Sequence, residues 1–405
     1  MRALSPTWYR TRPHGNHSPH LPTVKVLHSF YRSSLHSGEN EAVLQQVDLL
    51  AESGFDVELI YLSSDDLDSN LSAKALTAVG LTIGTPTARP PQEWLAGADL
   101  LHIHNTFPTM SHEWLGNAKI PKVLTAHNYR AFCANALFLR DGQRCMECTT
   151  QGSSRAVLHG CYRNSRIRSI PLAIQQNSSR SLAQLMRRCH QVLVPGEPMQ
   201  EIFRSLGVSN TRLLPQPAPA THNDAHSFPP TNAWLFVGRV SNEKGLAELF
   251  RIWPAQEEIV VIGEGPESTK AQEIAHQRQL PVQFLGGKEN REVRSIMSTS
   301  RGLVFPSRAL EGAPLVYGEA MQSGLPIVAA DGSTLATQTL ADHTGAVFTW
   351  DDPSSLTTAL GFVAERRAEL ADRAQAIYAS RYTPDVWIDN VTEIYRSAIS
   401  AHQSN

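Results

Sequence analysis

Short apolar segments alternate with longer helix-like segments in two separate stretches of this sequence, and the alternation limits the folds open to the chain. In the first stretch, strands are predicted at 24–28 and 57–61, with a helix at 41–53 between them. In the second, a strand at 234–237 runs directly into Gly238. Strands that alternate with helices are typical of parallel sheets covered by helices. We therefore predict an α/β fold of two Rossmann-like, doubly wound domains.

A proline-rich segment separates the two stretches. Residues 215–231 contain five prolines and no periodic apolar pattern, which is typical of a linker. Residues 1–22 are rich in Pro, His, Ser and Arg, and we predict a disordered extension there, or a start codon placed too early. The predicted organisation is an extension at 1–22, an N-terminal domain at 23–214, a linker at 215–231, a C-terminal domain at 232–382 and a C-terminal helix at 383–405 that packs back toward the N-terminal domain.

Charge and hydropathy argue against several classes of protein. The 405 residues carry a formal net charge of -2, which argues against a protein whose main partner is nucleic acid. No stretch approaches the roughly 20 apolar residues that span a bilayer, and the first 22 residues lack the apolar run of a secretory signal. We therefore expect a cytoplasmic protein.

The near-neutral total conceals a basic segment. Between Lys122 and Arg212 there are 13 Lys and Arg residues against four Asp and Glu residues. This excess indicates either a solvated basic face or a surface that meets anionic lipid or a phosphate-bearing acceptor. In the second case the protein would be peripheral on the inner face of the membrane.

The first candidate binding motif follows the predicted strand at 234–237. Gly238 allows the backbone to approach a ligand closely. Arg239 offers a planar fork of donors and Lys244 a compact positive charge, a combination that suits a diphosphate. A surface turn would give the same pattern.

A second candidate motif follows a predicted strand at 302–305. Glu311 lies in the loop, and a helix carrying Glu319 begins near Pro314, which fits a first helical turn. Free amides at the start of this helix would favour an anion, and the two carboxylates would accept hydrogen bonds from sugar hydroxyls. Two ordinary surface carboxylates are the alternative. The other residues of the candidate site are Gly312, Ala313, Leu315 and Gly263. Gly263 follows a further predicted strand, and a simple tight turn is the alternative interpretation there.

In this order and at these intervals, the motifs resemble the retaining glycosyltransferases of family 4, which have the GT-B fold. The resemblance rests on Arg239 and Lys244, on the Gly-x-Gly strand end at Gly263, and on Glu311 followed eight positions later by Glu319, and it covers residues 23–402. It implies two domains that face each other across a cleft. It also implies that Arg239 and Lys244 bind the diphosphate of a UDP- or GDP-linked sugar, that Glu311 contacts the transferred sugar and that Glu319 contacts the ribose.

The same resemblance gives roles to two features of the N-terminal half. The segment 36–40 is similar to the loop that follows the first strand in this family, near the donor phosphate and the acceptor, although the usual glycine pair is here Ser37 and Gly38. His127, at the end of the predicted strand 123–125, is similar to the histidine that reaches the donor sugar. A purely structural histidine is the alternative.

The implied reaction moves a hexose-type sugar from a nucleotide diphosphate sugar to a hydroxyl of a glycan or lipid-linked acceptor, with retention of configuration. It would serve the synthesis of a cell-surface polysaccharide or glycoconjugate, and it is expected to need no catalytic metal. Two alternatives stay open: a nucleotide-sugar epimerase of the same fold, and a non-catalytic subunit that binds another transferase or a membrane.

Four of the five cysteines lie close together in the sequence. Their spacing is Cys-x11-Cys-x2-Cys-x12-Cys, at Cys133, Cys145, Cys148 and Cys161. Such a set suits a tetrahedral structural zinc that would clamp the excursion 133–161, with an iron–sulfur cluster or unliganded thiols as alternatives. A subset of polysaccharide and cell-surface glycosyltransferases resembles this pattern. The fifth, Cys189, is predicted to be a buried apolar residue.

Overall fold

The computed structural model describes the chain in several stretches that fall into two compact units. The described residues are 8–11, 21–30, 38–63, 79–80, 92–108, 110, 112–218, 232–312 and 314–404. The first unit is drawn from Met1–Leu137, Met146–Pro215 and Trp387–Asn405, and the second from Phe138–Cys145 and Gln216–Val386. Most of the predicted linker, 219–231, lies outside the described residues.

Strands and helices alternate along both units. The strands are β1 (Trp8–Thr11), β2 (Thr23–Phe30), β3 (Asp56–Ser63), β4 (Leu100–Ile103), β5 (Lys122–Thr125), β6 (Leu139–Arg140), β7 (Gln143–Arg144), β8 (Gln191–Val194), β9 (Thr211–Leu213), β10 (Trp234–Val237), β11 (Ile259–Ile262), β12 (Val282–Gly286), β13 (Gly302–Phe305), β14 (Ile327–Ala330) and β15 (Gly345–Phe348). The α-helices are Gly38–Glu52, His112–Asn117, Glu147–Thr150, Ser154–Leu158, Arg166–Asn177, Leu182–Arg188, Glu197–Ser205, Leu246–Ile252, Ser268–Gln277, Asn290–Thr299, Leu315–Gln322, Thr334–Asp342, Pro353–Glu365, Arg367–Arg381 and Pro384–Gln403, with 3-10 turns at Gln92–Leu95 and Asn242–Lys244.

The first unit is built on a seven-stranded sheet in the order β1-β3-β2-β4-β5-β8-β9. Every neighbouring pair is parallel except β1 with β3, which is antiparallel. The disordered extension predicted at 1–22 is therefore wrong for Trp8–Thr11, which forms an edge strand. Two adjacent aromatic residues, Trp8 and Tyr9, favour a strand, but they stand among prolines and histidines that conceal the pattern.

The second unit is built on a six-stranded, wholly parallel sheet in the order β12-β11-β10-β13-β14-β15. Hydrophobic cores cover both faces of the sheet, one around Phe250 and Trp253 and the other around Tyr317 and Met321. Both faces of a parallel sheet are buried against helices, which is why most residues of its strands are apolar. The predicted α/β fold with two Rossmann-like units is confirmed.

In each sheet the order of strand addition reverses at one place. After β2 and β3 pair, β4 is added on the other side of β2; after β10, β11 and β12, β13 is added on the other side of β10. Ligands of open α/β sheets bind at the carboxyl ends of the strands beside such a reversal. The segments after β2 and β4, and after β10 and β13, are therefore the places to look for functional side chains.

The long C-terminal helix, Pro384–Gln403, contributes to the core of the first unit. Trp387, Val391, Ile394 and Tyr395 are buried in one cluster with residues of β2, β3 and the helix Gly38–Glu52. The helix Gly38–Glu52 begins three residues before the predicted helix 41–53, so Gly38 lies at the start of this helix and not in a loop. Across the described stretches, no helix is both long enough and apolar enough to cross a membrane.

Candidate functional site

Two strand ends meet at the reversal point of the second unit. β10 ends in Gly238, and β13 is followed by Pro306 and the fully buried Ser307. The amide of Arg308 donates to the carbonyl of Glu243 over 2.9 Å, and the hydroxyl of Ser307 donates to the same carbonyl over 3.2 Å. These bonds join the segment after β10 to the segment after β13, as the predicted site requires.

Glycines allow a very close approach between the loops after β10 and β11. A Cβ atom added to Gly263 would lie 2.1 Å from the carbonyl oxygen of Gly238, and Gly263 has a φ of +123°. A Cβ added to Gly265 would lie 2.2 Å from the carbonyl oxygen of Val240. Only glycine fits at such distances, so this part of the crevice depends on both positions.

Lys244 and Glu311, which the sequence placed in one site, form an ion pair. Lys244 Nζ donates to Glu311 Oε2 over 2.6 Å, and Ser307 Oγ donates to Glu311 Oε1 over 2.6 Å. The two side chains are 21% and 14% exposed. The backbone of Glu311 is also held, since its amide donates to Thr334 Oγ1 and its carbonyl accepts from the same hydroxyl. Glu311 is thus fixed in orientation, while the lysine retains further protons to donate to an anion.

Arg239 pairs with a different carboxylate. Its Nη2 donates to Glu243 Oε1 over 2.6 Å, and Ser241 Oγ donates to the same oxygen over 2.7 Å. Burial raises the pKa of Glu243, but the hydrogen bonds from Ser241 and Arg239 outweigh it and hold the pKa below its usual value. The guanidinium is 68% exposed, so it can exchange this surface partner for a ligand phosphate at little cost.

The remaining predicted donor residues surround the start of the helix Leu315–Gln322. Pro314 caps the helix, with its backbone in the extended region, and Gly312 is buried just before it. Glu319 lies half-buried in the second turn of the helix. Ala313 lies outside the described residues. Three residues that were not predicted from the sequence hold this site together: Ser307, Glu243 and Thr334. For Ser307 the sequence signal was its position shortly after the buried strand β13.

In the first unit, His127 belongs to a cluster of histidines and is not isolated. His104 Nδ1 lies 2.9 Å from His127 Nε2, and the two rings are stacked with centroids 5.2 Å apart. His102 lies against His104, and His28 contacts it edge-on. His28 lies near the carboxyl end of β2, His102 and His104 lie at the carboxyl end of β4, and His127 follows β5. The four side chains therefore flank the reversal point of this sheet. Of these histidines only His127 was predicted from the sequence; the positions of His102 and His104, two residues apart at the end of a strand, were the signal for the others.

A buried carboxylate completes this cluster. Glu39, in the first turn of the helix that starts at Gly38, lines one cavity together with His104, His127, Asn128 and Arg130. Asn128 Nδ2 donates to Glu39 Oε2 over 3.4 Å, whereas Glu39 Oε1 is buried with no hydrogen-bond partner among the described residues. Burial raises the pKa of Glu39. Residues 31–37, the rest of the predicted loop, lie outside the described residues.

Burial keeps five histidines of the first unit uncharged at neutral pH. Desolvation lowers the pKa to about 4 for His28, His112 and His127 and to about 3 for His102, and it holds the pKa of His104 well below 6.5. A neutral imidazole can both donate and accept a hydrogen bond, which suits a hydroxyl-rich ligand.

This burial predicts acid sensitivity. Because the folded pKa values lie below the unfolded value of 6.5, the unfolded chain binds more protons between about pH 6.5 and pH 4. The free energy of unfolding should therefore fall as the pH falls through this window, by up to about 1.4 kcal/mol per histidine per pH unit. Glu39 and Asp48, whose pKa values are raised, act in the opposite direction, but they are two groups against five histidines. Urea unfolding at pH 7, 6 and 5 measures the slope, and equal stabilities at pH 7 and pH 5 would contradict it.

The four clustered cysteines do not form the predicted metal site. Cys148 and Cys161 pack against a small hydrophobic cluster around Phe107 and Leu172, while Cys145 falls in the second unit. Among the residues that the structure describes, no group of three or more His, Cys, Asp or Glu side chains is arranged to hold a metal ion. The side chains present therefore do not fit a structural zinc. Cys189 is buried, as predicted, and burial raises the pKa of its thiol to about 12.

Comparison with known proteins agrees with this geometry. Residues 220–381 match the family model described as glycosyl transferases group 1. No curated protein sequence matches the chain.

Solved structures resemble the whole chain. HepE from Anabaena in complex with UDP is 16% identical over 93% of this chain and 100% of its own, with a TM-score of 0.57. Sucrose-phosphate synthase from Thermosynechococcus elongatus is 16% identical over 94% of this chain and 100% of its own, with a TM-score of 0.64. The lipopolysaccharide outer core galactosyltransferase WaaB, in its apo form, is 15% identical over 93% and 99%, with a TM-score of 0.55. At such identities the likeness establishes the fold alone. The chain therefore has the GT-B fold, and its residues 220–381 match the glycosyl transferases of group 1.

Proposed function

We propose that the protein is a retaining glycosyltransferase that moves a hexose-type sugar from a UDP- or GDP-linked donor to a hydroxyl of a glycan or lipid-linked acceptor. The observation that carries this proposal is the Lys244–Glu311 pair, held at the reversal point of the second sheet by Ser307 and Thr334. One side chain supplies a positive charge for a phosphate, and the other supplies a fixed acceptor for a sugar hydroxyl.

The proposed donor site uses the elements around this pair. Arg239 and Lys244 bind the diphosphate, and the glycines Gly238 and Gly263 let the backbone approach the nucleotide. The helix that begins at Leu315 directs free amides toward the anion. Glu319 binds the ribose diol. Gly312, Ala313, Pro314 and Gly38 are the remaining proposed contacts, and structures similar to this chain that contain UDP or UDP-glucose support a nucleotide donor.

In the proposed reaction an oxygen of the acceptor hydroxyl bonds to the anomeric carbon as the bond from that carbon to the diphosphate breaks. The electron pair leaves with the nucleoside diphosphate, and the hydroxyl proton passes to a phosphate oxygen. Lys244 and Arg239 stabilise the charge that develops on the leaving group, and Glu311 orients the sugar. His127, neutral at pH 7, is proposed to bind a sugar hydroxyl. Synthesis of a cell-surface polysaccharide or glycoconjugate is the proposed setting.

A thermal-shift panel with UDP, GDP, ADP and their sugars tests this function. A ligand that binds only the folded protein at about 100 times its Kd adds about 2.7 kcal/mol. For a unit of this size we therefore expect a rise in Tm of about 5 °C or more with the correct nucleotide. The stabilising donor sugar is then incubated with and without glycan or lipid-linked acceptors. A new glycoside supports transfer; an epimerised donor without acceptor, or no response to any nucleotide, contradicts it.

A further inference from the structure

The helix Arg166–Asn177 has apolar side chains on two opposite faces. One face packs into the first unit through Leu172 and Ala173, and Ser153 Oγ donates to the carbonyl of Ala173 over 2.6 Å. The other face exposes Ile167, Ile170 and Ile174, which are 79%, 41% and 46% exposed. A surface helix ordinarily turns polar residues outward, so the outer face has the composition of a surface that is covered by a partner.

The exposed isoleucines form a continuous stripe. At 100° per residue, positions 167, 170 and 174 fall within an arc of about 60°. Of the seven large hydrophobic side chains exposed among the described residues, three lie on this stripe. A fourth, Leu158, is 49% exposed at the end of the helix Ser154–Leu158, which packs against Arg166–Asn177. The concentration on two packed helices sets this patch apart from scattered surface residues.

The charge around the stripe is positive. On the helical projection Arg166 lies about 40° from one edge of the stripe and Arg168 about 100° from the other, both in the first turn of the helix, and both are exposed. The sequence from Cys148 to Gly196 contains seven arginines and not one Asp or Glu. An apolar stripe bordered by arginine fits a layer whose surface is anionic and whose interior is hydrocarbon.

We propose that the helix Arg166–Asn177 docks the protein on an anionic membrane surface, with the isoleucine stripe inserted at the headgroup boundary and Arg166 and Arg168 on lipid phosphates. Charge complementarity decides for lipid over a second copy of the chain, because the segment 148–196 carries seven arginines and no carboxylate that could pair with them in a second copy. The helix lies parallel to the membrane plane and does not cross it. This inference goes beyond the proposed transfer reaction and does not depend on it.

Vesicle co-sedimentation of the full chain tests this docking, using phosphatidylcholine vesicles with and without phosphatidylglycerol. The wild-type chain is expected to bind only the anionic vesicles. The triple variant Ile167→Ser, Ile170→Ser, Ile174→Ser should lose about tenfold or more in partitioning. The matched control is Leu340→Ser, which removes a 56% exposed leucine from the second unit and should bind like the wild type. Circular dichroism of each variant verifies that the fold is kept.

The arginines provide an independent measurement. The double variant Arg166→Gln, Arg168→Gln should weaken binding to anionic vesicles about fivefold per arginine and reduce its dependence on salt. Equal binding to both vesicle types, no binding by the wild type, or an unaffected triple variant would each overturn the proposal. A further outcome would also overturn it: the wild type is a dimer in light scattering, the triple variant is a monomer, and neither binds vesicles. The isoleucine stripe would then join two copies of the chain.

Discussion

Replacing Lys244 with alanine is expected to lower the rate of sugar transfer by about 10²–10³-fold, which is the usual loss when one preorganised donor to a developing negative charge is removed. The ammonium of Lys244 is 21% exposed and pairs with Glu311 at the crevice of the second unit. Without it, only Arg239 remains to stabilise the leaving diphosphate, and Glu311 loses one of the two side chains that orient it. Steady-state release of nucleoside diphosphate measures the effect.

The control for this variant is Lys270→Ala. Lys270 also pairs with carboxylates in the second unit, Glu248 over 3.0 Å and Glu267 over 3.1 Å, but neither partner is among the residues assigned to the donor site. Its removal should change the transfer rate less than twofold, because an exposed ion pair contributes little. The variant Glu311→Ala should behave like Lys244→Ala. Turnover near the wild-type rate in either of these two variants would refute the assignment of the site.

Replacing Gly263 with alanine should be the most destabilising single change at the site. The added Cβ would lie 2.1 Å from the carbonyl oxygen of Gly238, and alanine does not readily adopt the φ of +123° found there. Both the clash and the backbone strain act against folding, so we expect a loss of about 3 kcal/mol or more in the free energy of unfolding. Urea unfolding at pH 7, monitored by circular dichroism, measures this loss.

Gly287→Ala is the matched control for that substitution. Gly287 lies at the end of the neighbouring strand β12, and a Cβ added there would have no heavy atom within 4 Å. Its stability should change by no more than about 0.5 kcal/mol. If the two alanine variants are equally stable, the close approach between the loops after β10 and β11 is not a requirement of the fold.

The second unit was the more predictable from sequence. Most of its strands are apolar runs, and β10, β11 and β12 run into glycine, so the strand and the loop that follows it can be predicted directly, as at 234–237 and Gly238. The pairing of Lys244 with Glu311 could not be read, because the two residues are 67 positions apart and meet only through the strand order. The same is true of Thr334, which fixes Glu311 from a third segment.

The first unit was less predictable, for physical reasons that differ from residue to residue. His127 looks isolated in sequence, and its neighbours His28 and His104 come from other strands of the sheet. Glu39 stands in a polar segment that is typical of a loop, yet it lies in a helix and one of its carboxylate oxygens is buried. The cysteine spacing suited a metal, but spacing does not determine whether side chains converge, and in the structure the four do not.

The central claim, that Lys244 binds the donor diphosphate, is tested most directly by calorimetric titration. UDP, GDP and ADP, and the corresponding monophosphates, are titrated into the wild-type protein and into Lys244→Ala. If Lys244 binds the donor diphosphate, one of the three diphosphates binds the wild type, and removing its β-phosphate weakens binding more than about tenfold. In Lys244→Ala the same removal should weaken binding much less than in the wild type, because the two changes share the interaction of Lys244 with the β-phosphate, while Arg239 still contacts the diphosphate. An equal loss in both proteins, or no binding of any nucleoside diphosphate by the wild type, would contradict the account.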